Sequence, residues 1–466
     1  MNRSNLPNVF VIMTDQQRWD ALSAAVGGWG RTPRLDRLVR EGVYFENCFC
    51  TAPSCVPSRS SFFNCAYPSE VGAMKNGDSW QTSWVSQFQK AGYRTINVGK
   101  MHTQPFDAAC GFDQRFVTEN KDRIGAPRFY DEWDKHLKQR GIDNPNRWSY
   151  QNRSDFDEAL GAFEWPLDES LHFDAFVGRN AEWIIREHAG DPLFMQIGFP
   201  GPHTPYDPPR RCLDELGDIE TPPVVPHDPA RDIPPHRRYR QIMVEQNHGG
   251  VRWRPDASAQ DFHRLRRHYA ANMLLIDQWV GRVLDAADET GLLDDAVVLF
   301  LSDHGDSLGD HGQIQKWTMH DCNTRVPAIM WSPRRLSGGR RIDALIQHFD
   351  LVPLLFETAS VALGERGAAR SAGGLLDGSW AGRDHVFAEH GRCNMLPDIE
   401  SMVMARSREW KLVHYPGQEY GELYNLRSDP LEMDNRWSEP GMQSIKSGLF
   451  DAIQRHGISR QVTNQG

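Results

Sequence analysis

Short apolar runs that stop abruptly at polar residues recur along the chain, and they set the architecture the sequence predicts. Asn8 to Met13 is β-branched and apolar and ends at Thr14, Asp15 and Gln16, the pattern of a strand buried on both faces. Similar runs stand at Thr95 to Val98, Leu193 to Phe199, Val297 to Ser302 and Ala328 to Trp331. Between them apolar residues fall at helical spacing, in Thr32 to Glu41, Trp80 to Ala91, Phe173 to Glu187 and the long Phe262 to Thr290 segment. Strands alternating with helices predict an α/β fold with a mainly parallel central sheet sandwiched by helices, where ligands bind at the carboxyl ends of strands. The chemically unusual residues stand at those ends: Asp15, then Lys100 and His102, then His203, then Asp303 and His304.

The alternation lapses twice. Asp207 to Pro255 is rich in proline, arginine and histidine without strong periodicity and reads as a long excursion near the site mouth. From Gly364 to Gly382 glycine, alanine and arginine dominate, as in a linker. Beyond it, Met402 to Ala405 and Trp410 to Tyr415 flank a short polar turn and predict a β-hairpin. The expected division is a catalytic domain at 1–375 and a smaller C-terminal α+β subdomain at 376–466.

Composition narrows the function. With 466 residues, 39% hydrophobic and 24% charged, the chain reads as a soluble globular protein with no apolar run long enough for a bilayer. The polar start, Met1 to Pro7, leads straight into the first strand, so a cytoplasmic location is expected. Eight scattered cysteines argue against a disulfide framework, and Cys48, Cys50 and Cys55 lack the distant Cys or His pair that zinc would need. A net charge of −10 disfavours nucleic acid as a partner. Against that background Arg237 to Arg267 carries eight arginines, which read either as a solvated face or as a surface recruiting an anionic substrate. Self-association into a homo-oligomer is compatible with all of this.

Candidate chemistry collects in a few segments. Two carboxylates and an imidazole, from Asp15 and Asp303-His304, suit a divalent cation such as Ca²⁺, Mg²⁺ or Mn²⁺, although an aspartate ending a strand equally caps a following helix. Ser302-Asp303-His304-Gly305-Asp306, Leu308-Gly309-Asp310-His311-Gly312 and Lys316 combine glycine turns with acids, imidazoles and a downstream cation. Taken alone, Cys55-Val56-Pro57-Ser58-Arg59 is a small buried residue near an arginine.

Together these segments resemble the sulfatase family of the alkaline-phosphatase-like superfamily. Cys55 to Arg59 resembles the family's C-x-P-S-R signature, and Ser302 to Gly312 with Lys316 looks like its S-D-H-G-x-x-L-G-D-H-G element. Gly99-Lys100-Met101-His102 is similar to G-K-W-H, Pro202-His203-Thr204-Pro205 to P-H-x-P, and Arg325-Val326-Pro327 to R-V-P. Glu422-Leu423-Tyr424-Asn425-Leu426 with Asp429-Pro430 is similar to the closing E-L-Y-D-L-x-x-D-P. The resemblance implies that a formylglycine-generating enzyme converts Cys55 to formylglycine, whose hydrate is the nucleophile. It implies one divalent metal ion, Ca²⁺ with Mn²⁺ or Mg²⁺ as alternatives, held by Asp15, Asp303, His304 and the residue from Cys55. Arg59 would hold the hydrated aldehyde, His102 its second hydroxyl, Lys100 and Lys316 the sulfate oxygens, and His203 the leaving-group oxygen. The implied substrate is a sulfate ester of a small or medium alcohol, sugar or phenol.

Two departures matter. Gln16 stands where many members carry a second aspartate, and His304 where many carry asparagine, a pattern similar to the branch of choline sulfatases and phosphonate monoester or phosphodiester hydrolases. Gln16 is then a further, weaker ligand, and a phosphonate monoester or phosphodiester hydrolase is the alternative function. Asn64-Cys65 replaces the usual Thr-Gly behind the signature. A relative that binds anions without turning them over is a third reading. Trp317, His320 and Asp321 are expected near the leaving group.

Overall fold

The computed structural model describes residues 6–119, 129–145, 147–188, 190, 192–246 and 248–463. Thirteen strands run in chain order as β1 (Asn8–Asp15), β2 (Val43–Phe49), β3 (Arg94–Gly99), β4 (Gln114–Val117), β5 (Leu193–Pro202), β6 (Ala296–Ser302), β7 (Arg325–Val326), β8 (Ala328–Trp331), β9 (Arg340–Gln347), β10 (Val386–Cys393), β11 (Leu396–Arg406), β12 (Trp410–His414) and β13 (Gly421–Asn425). Six helices matter below: α1 (Pro33–Glu41), α2 (Cys55–Asn64), α3 (Phe173–Glu187), α4 (Ala259–Glu289), α5 (Leu351–Ala359) and α6 (Gln443–Thr463).

The main sheet has nine strands in the order β4-β3-β5-β1-β6-β8-β2-β7, with β9 paired to β2. The β4-β3-β5-β1-β6 half is parallel, whereas β8 turns antiparallel to β6 and to β2. The central strand shows why both faces are covered. Val9, Val11 and Met13 join one apolar cluster with Phe62 and Phe63 of α2 and with α5, while Phe10 and Ile12 join the other with α1, α3 and α4. Alternate side chains point to opposite faces, so an uninterrupted apolar run needs a helical layer on each side. Burying one such side chain stabilises the fold by about 1.5–3 kcal/mol, and all five are fully buried. The 31-residue α4 is started by a capping box, in which Ser258 accepts from the Asp261 amide and Asp261 from the Ser258 amide.

The hairpin expected near the C-terminus is β11 and β12, paired antiparallel inside a four-stranded sheet, β10-β11-β12-β13, against which α6 packs. Two expectations change. Trp80 to Ala91 is helical only over Val85–Lys90, because Trp80 instead bridges to Gln104. Within Asp207 to Pro255 the structure forms helices at Arg210–Leu216 and Pro234–Glu245 that bury Leu213, Leu216, Tyr239 and Ile242. The arginines between Arg237 and Arg267 mostly face protein: Arg266 pairs with Asp310, Arg252 with Asp157, and Arg267 donates to the Leu213 and Gly217 carbonyls. Among the described residues no helix is long and apolar enough to cross a membrane.

Candidate active site

The parallel half of the sheet delivers its carboxyl ends to one edge, and that edge gathers the polar residues. β1 ends in Asp15, β3 runs into Lys100, β5 into His203 and β6 into Asp303, on four adjacent strands. Gly99 and Gly198 let β3 and β5 approach at this point. A Cβ at Gly99, whose φ is +93°, would lie 2.1 Å from the Gly198 carbonyl oxygen, and one at Gly198 would lie 2.0 Å from that of Lys100. The turn that follows carries the Lys100 side chain inward, fully buried.

Facing these strand ends is the first turn of α2, which presents Cys55 with 1% of its surface exposed. The Ser58 hydroxyl donates to the Asp303 backbone carbonyl at 2.5 Å, fastening α2 to the end of β6. The helix closes on Cys65 with φ 52°, a left-handed residue at a position where glycine costs least, and this is where the chain departs from the family signature.

One ligand atom each from Asp15, Cys55, Asp303 and His304 lies within 4.8 Å of every other, and all four residues are buried. His304 Nε2 is 3.3 Å from Cys55 Sγ, 3.7 Å from Asp303 Oδ1 and 3.8 Å from Asp15 Oδ1. Its other nitrogen, Nδ1, lies 2.8 Å from the Gly305 carbonyl oxygen. A carbonyl only accepts, so Nδ1 carries the proton and Nε2 presents a lone pair to the cluster. Burial holds the imidazole below its usual range, which keeps that lone pair available.

Gln16 extends this group. With φ 70° it turns back so that its amide donates to Asp303 Oδ1 at 3.0 Å, while its side-chain nitrogen donates to Asp306 Oδ2 at 2.5 Å. The side-chain oxygen Oε1 is buried without a hydrogen-bond partner. A buried acceptor left over beside two carboxylates and an imidazole lone pair is the donor chemistry of an oxygen-seeking divalent cation. The residues present therefore fit the metal that the family resemblance implies.

Three cations surround the acids. Arg59 donates through Nε to Asp303 Oδ2 at 2.7 Å and through Nη1 to the Lys100 carbonyl at 3.0 Å, with Nη2 3.6 Å from Asp15 Oδ2. Lys100 pairs with Asp15 and lies 3.9 Å from Cys55 Sγ. Lys316 Nζ is 2.9 Å from Cys55 Sγ and 3.3 Å from His304 Nε2. Burial opposes the charge on Asp15, yet Lys100, with Lys316 and Arg59, holds its carboxyl well below the usual range. Burial would likewise lower the Lys316 ammonium, but Cys55 and Asp15 raise it, so it stays protonated. Burial and the Asp15 charge push the Cys55 thiol up, against Lys100 and Lys316, so the unmodified side chain is a poor thiolate nucleophile.

His203 is half-buried, with Nδ1 2.8 Å from the Thr204 carbonyl, and burial together with Lys316 and Lys100 holds it neutral despite Asp15. His102 sits further out: its amide donates to Glu119 at 2.8 Å, its carbonyl accepts from Trp80, and its ring stacks on Phe106. Of the residues expected near a leaving group, Trp317 lines a cavity at the site. His320 instead stacks on His311 at 3.8 Å, and Asp321 pairs with Lys411.

Sequence reasoning overlooked the support beneath these groups. Asp306 is its hub: Oδ2 accepts from Gln16 and from the Tyr206 hydroxyl at 2.6 Å, while Oδ1 accepts from the Leu308 and Gln315 amides, both at 3.0 Å. Lys316 is flanked by Gln315 and Trp317, with φ of 68° and 76°. Left-handed conformations of non-glycine residues cost about 1 kcal/mol or more each. Here they aim the intervening lysine at Cys55.

A buried cup of cations opposite acids, an imidazole and a cysteine at a helix start is a site for an anionic ester. The sulfatase family profile matches residues 7–361, three quarters of the chain, and the C-terminal region of N-sulphoglucosamine sulphohydrolase matches residues 309–458. The chain thus belongs to the sulfatase family, within the alkaline-phosphatase-like superfamily, and is a sulfuric ester hydrolase. It is 27% identical over 457 residues to an arylsulfatase of Clostridium perfringens, covering 92% of this chain and 90% of that one. It is also 27% identical over 450 residues to a choline-sulfatase of Rhizobium meliloti, covering 93% and 83%. Among solved structures, a phosphonate monoester hydrolase from Silicibacter pomeroyi superposes with a TM-score of 0.80 at 21% identity over 97% and 96% of the two chains. At these identities the structural likeness speaks for the fold.

Proposed function

We propose that the chain hydrolyses a sulfate ester of a small or medium organic alcohol, sugar or phenol, with formylglycine formed from Cys55 as its nucleophilic group and one divalent cation, Ca²⁺ before Mn²⁺ or Mg²⁺. The observation that carries this reading is the convergence of Asp15, Cys55, Asp303 and His304 within 4.8 Å under Lys100 and Lys316. Asp15, Asp303, His304 and the buried Gln16 oxygen would hold the cation, which when bound withdraws charge from sulfur and acidifies the attacking hydroxyl. Formylglycine at position 55, once hydrated, would supply two geminal hydroxyls, one as nucleophile and one whose deprotonation would let sulfate leave.

The chain's own residues account for the rest. Three cations, Arg59, Lys100 and Lys316, stand against Asp15 and Asp303, and the two lysines reach Cys55, where they would receive an anionic ester. Lys100 and Lys316 stabilise charge spreading onto the sulfate oxygens; one such contact is worth about 3–4 kcal/mol in the transition state. His203 is held neutral, so Lys316 is the better proton donor to the departing alcohol, with His203 accepting or orienting at its half-buried position. Arg59 locks Asp303 and the Lys100 turn, and His102 completes the rim on the hydrate side. In this reading 1–375 is the catalytic unit and 376–466 a cover. The eight cysteines, none bridged, favour a reducing compartment such as the cytoplasm.

A phosphonate monoester or phosphodiester hydrolase is the second reading, favoured by Gln16 and His304, since a dication and two lysines receive either tetrahedral anion. The decisive experiment compares kcat/KM on matched aryl sulfate, phosphonate and phosphodiester after peptide mass analysis has confirmed conversion at Cys55. A preference for the sulfate is expected; higher efficiency on the phosphorus esters, or full activity with an unmodified thiol, overturns the proposal.

A further inference from the structure

The cavity that Trp317, the residue after Lys316, lines beside the site has a volume of about 380 Å³, large enough for a ring-sized leaving group. Its inner rim is Asn76, whose side-chain oxygen accepts from the Val56 amide at 3.0 Å and the Ser54 hydroxyl at 2.9 Å, tying the cavity to the first turn of α2. Resting on the sulfatase reading, we propose that this cavity is the leaving-group subsite and that it selects sulfate esters of a ring bearing a second negative charge, a carboxylate or another sulfate.

Charge carries the argument. In a chain of net charge −10, the cavity is lined by Lys75 and Arg392 and by no aspartate or glutamate. Lys75 is exposed and enters no ion pair among the described residues. Arg392 is oriented by its Nε donating to the Ile399 carbonyl at 3.0 Å, and its outer nitrogen meets Glu400 at 2.6 Å. The two side chains of that pair are 58% and 76% exposed, a contact that contributes little and yields to a better anion. Trp317 and Met395, themselves largely buried, add apolar lining to the same cavity.

The same geometry rejects a quaternary ammonium. Such cations seek open aromatic faces and nearby carboxylates, but Lys316 already lies 5.6 Å from the centre of the Trp317 ring and no carboxylate lines the cavity. Choline sulfate is therefore a poor substrate, although a choline-sulfatase is among the relatives.

The test uses the converted enzyme and four substrates: N-acetylglucosamine 6-sulfate, glucosamine 2-N,6-O-disulfate, choline sulfate and 4-nitrophenyl sulfate. At low ionic strength kcat/KM for the disulfate exceeds that for the monosulfate by about tenfold, what two partly exposed charge contacts supply. The advantage shrinks as salt is raised. The double variant Lys75→Gln, Arg392→Gln brings the ratio close to one, mainly through KM. Equal turnover of the two sugars, a preference for choline sulfate, or a ratio that survives the double variant overturns the subsite while 4-nitrophenyl sulfate hydrolysis upholds the enzyme class. Failure on all four sulfates with turnover of a phosphonate overturns the parent reading, and the subsite with it.

Discussion

Lys411 and Lys316 are both buried lysines near carboxylates, and their surroundings differ in kind. Lys411 Nζ donates to the Met319 carbonyl at 2.8 Å and to Asp321 at 2.5 Å, and pairs with Glu432 at 2.5 Å. Asp321 is further held by Arg406 at 3.2 Å. Lys316 instead faces a sulfur and an imidazole, and no carboxylate pairs with it among the described residues. The first cluster spends its charge on joining β12 to the loop before β7. The second leaves its field for a ligand. Buried charge alone does not mark a site; buried charge without its own full complement of partners does.

The comparison breaks most visibly at Cys55. Cys55→Ser keeps the size but offers one hydroxyl where two are needed, so multiple turnover of a sulfate ester should fall by about 10⁴-fold or more; wild-type rates would remove position 55 from the chemistry. Lys411→Ala strands two buried carboxylates and should cost about 3–5 kcal/mol in denaturant unfolding. Its kcat/KM per folded molecule should be preserved. Lys316→Ala is expected to do the reverse, lowering kcat by about 10²–10³-fold with stability shifted by about 1 kcal/mol or less, since it satisfies no carboxylate. If both variants lose stability equally, the distinction drawn above is wrong.

A further effect is on pH. Burial pushes the imidazoles of His268, His311 and His348 down to about 4. Between about 6.5 and 4 the unfolded chain binds protons that the native state refuses, so stability is complete above that window and declines as pH falls through it. Each histidine contributes at most about 1.4 kcal/mol per pH unit. Unfolding midpoints in urea between pH 7 and pH 5 measure the slope; a flat profile would place these imidazoles in contact with water.

Much of the parallel half was legible because its strands are apolar on both faces and stop at polar residues, as Ala296–Ser302 and Leu193–Pro202 show. β2 and β9 were not: Val43–Phe49 is interrupted by Glu46 and Asn47, and Arg340–Gln347 begins with two arginines. Nor does periodicity record direction, so the reversal at β8 carried no signal. In the site, Asp15, Cys55, Asp303 and His304 could be named from ordered motifs. The role of Asp306 could not, although it lies in the same block, because its bond to Gln16 spans 290 positions and depends on a left-handed turn. The arginine-rich stretch misled for the opposite reason: a linear cluster of charge says nothing of the acids that fold back onto it.

β1 is made well before both its neighbours, β5 near residue 193 and β6 near residue 296. During synthesis the centre of the sheet must wait for the chain that flanks it. At 5–20 residues per second, roughly 10–50 s pass between the emergence of Cys55 and that of Asp303. For that interval the segment later sealed inside the cup stays open to solvent, a window for any enzyme that must reach its thiol before the sheet closes.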